Sequence, residues 1–134
     1  MNAVAQKDSS HSKMHKSSAK NSFVEIFSKA LTDSGLVNKK VRISELTMLP
    51  GHSDTISHRH GAEILIYVLE GSFEYRLGNN EPVLYTKGQV LHEAPYSLHT
   101  LTRNPSRTET AKLLLTFIHT DGAPLYIREY PEKK

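Results

Sequence analysis

The stretch from residue 64 to residue 69 limits the possible folds of this chain more than any other. Alternate side chains of an extended strand point to opposite faces. Both faces are apolar here, one formed by Ile64, Ile66 and Val68 and the other by Leu65, Tyr67 and Leu69. A strand of this kind has apolar surroundings on each side, so it is typical of the wall of a barrel or sandwich.

Further segments with a period of two surround this strand. A first strand runs from Lys40 to the turn at Pro50 and Gly51. A hairpin follows, with strands over residues 72–77 and 83–86 and a turn at residues 78–80. Later strands are predicted over residues 90–92, 99–102, 111–118 and 125–128. Strands about ten residues apart, with turn residues between them, predict an all-β sandwich or barrel.

The segment after Ser22 follows a different pattern. Ser22 and Glu25 match a capping box, and apolar residues follow at helical spacing, at Phe23, Ile26, Phe27, Ala30 and Leu31. The sequence predicts one short amphipathic helix that ends near Gly35. Its apolar stripe is expected to pack on the sheet or on a partner subunit.

Residues 1–21 are expected to form a disordered basic tail rich in serine and lysine. Within its first 20 residues, four lysines and one aspartate account for the whole net charge of +3. Such a segment has too little apolar surface to offset the entropy of ordering. It also has no interleaved aromatic residues for base stacking, so no nucleic-acid partner is expected.

The remaining residues, 22–134, are expected to form one domain. A chain of 134 residues is long enough for one core and too short for two ordinary domains. It has no membrane-length apolar run and no apolar signal region, so a cytoplasmic protein without a membrane partner is expected. It contains no cysteine, which leaves imidazole and carboxylate as the strong metal ligands.

Three of the eight histidines are candidates for a metal site. His58 and His60 are two residues apart and point to the same face of a strand. His99 belongs to a later predicted strand that is expected to face them across the interior of a barrel. Three imidazoles can hold a divalent metal while leaving positions open for a substrate.

The residues around these histidines carry a resemblance. Gly51, His58-Arg59-His60 and Tyr67-Val68-Leu69-Glu70-Gly71 resemble the first signature of the cupin superfamily. Residues 88–95, followed by His99, resemble its second signature more loosely, because Ala94-Pro95-Tyr96 stands where a Pro-x-Gly turn is usual. The resemblance covers about residues 40–120. It implies a single-domain cupin β-barrel of the jelly-roll type, with a metal on the H-x-H pair and pairing of barrels into a homodimer.

The resemblance also points to a difference. Cupins commonly carry a carboxylate ligand four residues after the second histidine, and that position is Ile64 in this chain. Glu63 is one residue away and points to the opposite face of a regular strand, so it is a candidate fourth ligand only if a bulge turns it inward. Glu93 and Tyr75 are candidates for catalytic groups beside the metal.

Two functions remain open at this point. The first is a metal-dependent enzyme acting on a small organic molecule. Iron would imply dioxygenase chemistry, while zinc, manganese or nickel would imply the Lewis-acid chemistry of an isomerase or lyase. The second is a non-catalytic module that binds or senses a ligand or a metal. A general acid or base within reach of the metal would distinguish them.

Overall fold

Antiparallel strands make up most of the computed structural model of the protein, which describes residues 20–130. Within that range there is one 3₁₀ turn, Ser34–Leu36. The strands are β1 (Ser22–Ala30), β2 (Lys39–Met48), β3 (Ser53–Asp54), β4 (His58–Arg59), β5 (Glu63–Glu70), β6 (Ser72–Leu77), β7 (Val83–Thr86), β8 (Val90–Glu93), β9 (His99–Arg103), β10 (Ala111–Thr120) and β11 (Ile127–Arg128). The predicted disordered tail lies outside the described residues, apart from its last two.

The strands form two sheets that face each other, as in a jelly roll. The first sheet has the order β1-β2-β10-β5-β8. The second has the order β11-β4-β9-β6-β7, and β3 also pairs with β9. Neighbours in each sheet are antiparallel and many come from distant parts of the chain, so the all-β barrel predicted from the sequence is confirmed. No helix within residues 20–130 is long and apolar enough to span a membrane.

The predicted amphipathic helix is wrong, because the segment forms strand β1. It pairs antiparallel with β2 from Ser22 opposite Thr47 to Ala30 opposite Lys40, with a bulge between Glu25 and Phe27. Phenylalanine, valine and isoleucine favour strands, and the free edge of β2 offers this segment a complete ladder of backbone hydrogen bonds. The capping-box spacing alone does not outweigh that ladder.

The core lies between the inner faces of the two sheets. On β5 the inward residues Ile64, Ile66 and Val68 are buried, whereas Leu65 and Tyr67 on the outer face are about 40% exposed. The largest other buried apolar side chains are Met48, Phe73, Leu113 and Phe117. The expectation of apolar surroundings on both sides of β5 is therefore correct for its inner face and wrong for its outer face within the single chain.

One end of the barrel is covered by residues 124–128, which we call the strap. Backbone hydrogen bonds fix it to the segment around β4, with Gly61 donating to the carbonyl of Pro124 at 2.9 Å. Ile127 pairs with Arg59, and the backbone N–H of Glu129 donates to the carbonyl of Ser57. The strap therefore lies directly beside the two histidines of the H-x-H pair.

Candidate metal centre

The three predicted histidines converge at one end of the barrel. His58 lies on β4, His60 follows two residues later, and His99 is the first residue of β9, directly opposite His58 in the ladder. One ring nitrogen from each of the three lies within 4.8 Å of the other two. His58 and His99 are buried, and His60 is half-buried. We call these residues the triad.

Hydrogen bonds to backbone carbonyls set the tautomers of His58 and His60. A carbonyl oxygen only accepts, so the nitrogen that faces it must carry the proton. His58 Nδ1 donates to the carbonyl of Ile56 at 2.6 Å, and His60 Nδ1 donates to the carbonyl of Leu125 in the strap. Nε2 of each ring is therefore left unprotonated, as a metal ligand requires.

His99 is oriented by the opposite nitrogen. Its Nε2 lies 3.0 Å from the carbonyl of Leu101 and 2.6 Å from Thr102 Oγ1, so Nε2 carries the proton and Nδ1 is free. His99 Nδ1 lies 3.0 Å from His58 Nε2. Two unprotonated nitrogens this close repel each other unless a proton or a metal ion lies between them.

The spacing fits a shared ion. Imidazole nitrogens bind zinc at about 2.0–2.1 Å, so adjacent nitrogens around one ion lie roughly 3 Å apart. The distance between His58 Nε2 and His99 Nδ1 matches this value. The second nitrogen of each ring bonds to the protein, the arrangement that holds metal-binding histidines in place. The donor set therefore fits a divalent metal ion.

The surroundings also keep the histidines neutral. Burial, together with the neighbouring His58, lowers the pKa of His99 to about 4. Burial likewise lowers the pKa of His60, against the opposing effect of its bond to Leu125. A neutral imidazole does not have to release a proton before it binds a metal.

Glu63 of β5 and Glu93 of β8 lie on opposite faces of the first sheet. Glu63 is on the outer face, where it pairs with His92, and no bulge turns it toward the triad. Ile64 points inward, is 1% exposed and lies in the ladder directly opposite Glu93. The inward carboxylate of this region therefore comes from β8 and not from β5.

Glu93 and Tyr75, the candidate catalytic residues, are in contact. The Tyr75 hydroxyl donates to Glu93 Oε2, while Glu93 Oε1 is buried and has no partner within the described part of the chain. Burial raises the pKa of both groups, and the carboxylate further raises that of Tyr75. The Tyr75 ring lies 4.6 Å from the His99 ring, centre to centre. Their catalytic roles stay predictions.

The remaining candidates lie around the site. His52 Nδ1 accepts a hydrogen bond from Asn21 Nδ2 at 3.0 Å, and the His52 ring lines the same cavity as the triad. His92 is on the outer face with Glu63. Arg59 points away from the triad and donates to the carbonyl of Tyr96 and to Glu129. These contacts give Arg59 a structural role.

The sequence alone did not identify the contribution of the strap. Tyr126 stacks on His58, with ring centres 4.7 Å apart and an angle of 25° between the rings. Leu125 acts through its backbone carbonyl, which every residue has, so no sequence pattern could reveal it. For Tyr126, an aromatic residue in the last predicted strand was the available signal.

A cavity of about 280 Å³ opens in front of the triad. Its wall is mostly apolar and includes Ile64, Phe73, Leu113 and Phe117. The triad and Glu93 supply convergent polar groups. An apolar cavity with a few convergent polar groups is typical of a site for a small organic molecule.

Comparisons with known proteins agree with this architecture. In Klebsiella pneumoniae subsp. pneumoniae MGH 78578, a conserved protein with a double-stranded β-helix domain is 17% identical, with a TM-score of 0.62 over 85% of this chain and 89% of that one. The DMSP lyase DddQ from Ruegeria pomeroyi DSS-3 is 16% identical, with a TM-score of 0.62 over 90% of this chain and 57% of that one. Both similarities concern the fold.

A third similar structure is that of a mutant salicylate 1,2-dioxygenase from Pseudoaminobacter salicylatoxidans. It is 18% identical, with a TM-score of 0.51 over 57% of this chain and 22% of that one. No curated protein matches the chain by sequence.

The family assignment comes from the sequence itself. A model of the cupin domain, Cupin_2, matches residues 44–117. This range covers more than half of the chain and contains the whole triad as well as Glu93. The two signatures, the jelly-roll topology and the matching family model lead to one conclusion: this chain belongs to the cupin family.

Proposed function

We propose that the protein is a metal-dependent enzyme that acts on a small organic molecule. The observation that carries this proposal is the arrangement of the triad, in which three unprotonated ring nitrogens point to one place and two of them face each other at 3.0 Å. Such an arrangement is favourable when a cation is present. The mostly apolar cavity in front of it has room for a small substrate.

His58, His60 and His99 would hold the ion as three neutral ligands. Imidazole ligands suit zinc, iron, nickel and copper, and manganese prefers sites with more oxygen. When bound, a divalent ion supplies Lewis acidity toward substrate oxygen atoms, and iron(II) also supplies reactivity toward dioxygen. Isomerase, lyase and dioxygenase reactions are therefore the classes to test.

Glu93 would act as the general acid or base and exchange a proton with the substrate. Its raised pKa makes the protonated form accessible closer to neutral pH than for an ordinary glutamate. Tyr75 occupies Oε2 and leaves Oε1 for a proton exchanged with the substrate. Glu93 lies on the same cavity as the triad and gives the site a general acid or base, the feature that separates an enzyme from a binding module.

Metal content is the first test. Protein purified without a histidine tag should contain a divalent metal in elemental analysis, and His58→Ala, His60→Ala and His99→Ala should each lose most of it. The His52→Ala variant serves as the control, because His52 lines the cavity but is not in the triad. Equal metal content in all four variants would exclude this site.

Turnover is the second readout on the same protein. Oxygen uptake and product formation should be measured with small organic acids and phenols. Glu93→Gln and Tyr75→Phe should retain the metal and lose activity by about 10²–10⁴-fold, the usual size of a general acid–base contribution. A wild-type protein that binds metal and ligands but converts none of them would support the non-catalytic module.

A further inference from the structure

A second cavity, of about 320 Å³, lies beside the first. The two share four lining residues, Phe23, His60, Phe117 and Tyr126. The two cavities are therefore adjacent, and His60 lies at the boundary between them. The other polar groups of this cavity are a separate set, which the proposed reaction does not use.

Two of those groups come from the inner face of β2. Ser44 lies opposite Leu115 in the ladder, and Arg42 lies opposite Phe117. Ser44 is 3% exposed and lines the second cavity. Arg42 points inward from β2, its side chain is 36% exposed, and it pairs with Glu25, which lines the same cavity.

Arg42 is only partly satisfied by the protein. Its Nη1 donates to Glu25 Oε2 at 3.1 Å, so this nitrogen already has a carboxylate partner. Its Nε is buried and has no partner in the described part of the chain. Buried polar groups nearly always have a partner, so an unpaired N–H beside a cavity indicates a group that binds there.

The geometry of guanidinium defines that group. The group is planar, and the N–H bonds of Nε and Nη2 lie parallel along one edge of that plane, whereas Nη1 lies outside this edge. Because Glu25 occupies Nη1, the edge formed by Nε and Nη2 is left for a ligand. Two parallel N–H bonds match the two oxygens of a carboxylate.

We propose that the second cavity is a carboxylate subsite, in which Arg42 and Ser44 bind one end of the substrate. The other end, with its oxygen donors, lies at the triad, and the middle lies beside His60 and the edge-to-face rings of Phe23 and Phe117. The substrate is thus a small organic acid with an oxygen-donor group at a distance from its carboxylate. This inference deepens the proposed function and rests on it for the position of the second end.

The subsite can be tested first without any metal. Titration of the metal-free protein with butanoate should shift the Arg42 Nε–H resonance in ¹⁵N-edited NMR spectra, because the carboxylate binds that group. A resonance that does not move would overturn the subsite. This readout is independent of metal binding, so it separates a failure of the subsite from a failure of the proposed function.

The second test uses nickel-loaded protein and two matched probes. 2-Oxoglutarate and 2-oxobutanoate share the same chelating end, and only the former has a second carboxylate. Calorimetry should show 2-oxoglutarate binding at least about tenfold more tightly, and Arg42→Met should remove most of that difference. Ser44→Ala should reduce it less, because a neutral donor contributes less than a charged one.

Lys40→Met is the matched control. It also removes one positive charge from the inner face of β2, but Lys40 pairs with Asp121 and does not line the second cavity. The preference for 2-oxoglutarate should survive in this variant. If the Lys40 and Arg42 variants lost this preference equally, the overall charge of the protein would explain it, and the subsite would be wrong.

Discussion

At the scale of single residues, the neutral state of His99 makes the stability of the folded protein depend on pH. Its buried ring bonds to Leu101 and Thr102 through Nε2 and faces His58 through Nδ1. A second proton on this ring would place a charge in an apolar region beside two other imidazoles. Protonation of His99 is therefore less favourable in the folded protein than in an unfolded chain.

This difference predicts a pH dependence for the metal-free protein. The pKa of His99 is about 4 in the folded state and about 6.5 in an unfolded chain. Between these values the unfolded chain binds more protons, so the free energy of unfolding should fall as pH falls from about 6.5 to 4. The total loss should be on the order of 3 kcal/mol.

Urea unfolding at about pH 7.5, 6.0 and 4.5 in the presence of a chelator would measure this loss across the window between the two pKa values. The His99→Gln variant is the control and should show a flatter profile over the same range. Glu93 has a raised pKa, which acts in the opposite direction, but it is present in both proteins and cancels in the comparison. Parallel profiles would contradict the assignment to His99.

A second prediction at this scale concerns Ile64, the inward neighbour of Glu93. A carboxylate at this buried position should destabilise the metal-free protein, because its charge has no partner there. Bound metal should restore that stability. The metal-induced rise in melting temperature should therefore be larger in Ile64→Glu than in the wild type, as measured by scanning calorimetry.

Two variants control for other effects. Ile64→Gln introduces a side chain of nearly the same shape as glutamate without its charge, and it should show the wild-type rise. Glu63→Ala should leave metal content unchanged, since Glu63 lies on the outer face with His92. Loss of metal in the Glu63 variant would contradict the three-histidine site.

At the scale of elements, the strap holds the end of β4 and the ring of His60, which follows that strand. Gly61 lies between His60 and β5, and its backbone N–H donates to the carbonyl of Pro124. The next carbonyl, of Leu125, accepts from His60 Nδ1. A change in the distance between Gly61 and the strap must therefore disturb the hydrogen bond between Leu125 and His60, a proposed metal ligand.

Gly61→Ala makes that change without touching the triad. A Cβ at this position would lie 2.6 Å from the carbonyl oxygen of Pro124 and 3.0 Å from the Tyr96 hydroxyl, so the strap has to move. Since outer contacts of metal ligands typically contribute about 10–100-fold in affinity, metal binding should weaken by about that factor. Competition with a fluorescent chelator would measure it.

Gly35→Ala is a suitable comparison, because Gly35 lies in the 3₁₀ turn and lines neither cavity. It should bind metal like the wild type. Unchanged affinity in the Gly61 variant would show that the strap does not support His60.

Much of this element-level organisation follows from local patterns, and some of it does not. Alternation and turn residues predicted β2, the hairpin of β6 and β7, and the inward direction of His58 and His60. The pattern failed at β1, where the apolar residues have helical spacing and the segment becomes a strand by pairing with β2, with a bulge between Glu25 and Phe27. Pairing of distant segments is not encoded locally.

Asn104 shows the same limit. It lies just after β9, outside the strands, yet it is fully buried, and its side-chain amide donates to the carbonyls of Met48, Leu49 and Glu109. Similarly, Arg42 lies at an inward position, but the unpaired edge of its guanidinium group becomes evident only when Glu25 is placed beside it. In both cases the environment of the side chain depends on contacts with distant parts of the chain, which the local sequence pattern does not contain.

At the scale of the whole molecule, the outer face of the first sheet carries a group of exposed apolar side chains. Its exposed members, each at least 40% exposed and together reaching from β1 at one edge to β8 at the other, are Val24, Phe27, Leu65, Tyr67 and Val90. Large exposed apolar patches mark interaction surfaces in soluble proteins. We propose that a second copy of the chain covers this face.

The proposal predicts a dimer in sedimentation velocity at micromolar concentration. Tyr67→Lys should convert it to a monomer, because a charge within the face would lose its water on association. Glu81→Lys, at an exposed position in the connection between β6 and β7 of the other sheet, is the control and should remain dimeric. A wild-type protein that sediments as a monomer would contradict the proposal.

The bond between His60 and the strap also has a consequence for the order of events during synthesis. The carbonyl that orients His60 belongs to a residue 65 positions later in the chain. When His60 leaves the ribosome, that acceptor is still to emerge, and so is His99. The site is complete only after nearly all of the described chain has emerged. The proposed metal site is therefore completed late in synthesis, and we expect metal to bind to the finished barrel rather than to the growing chain.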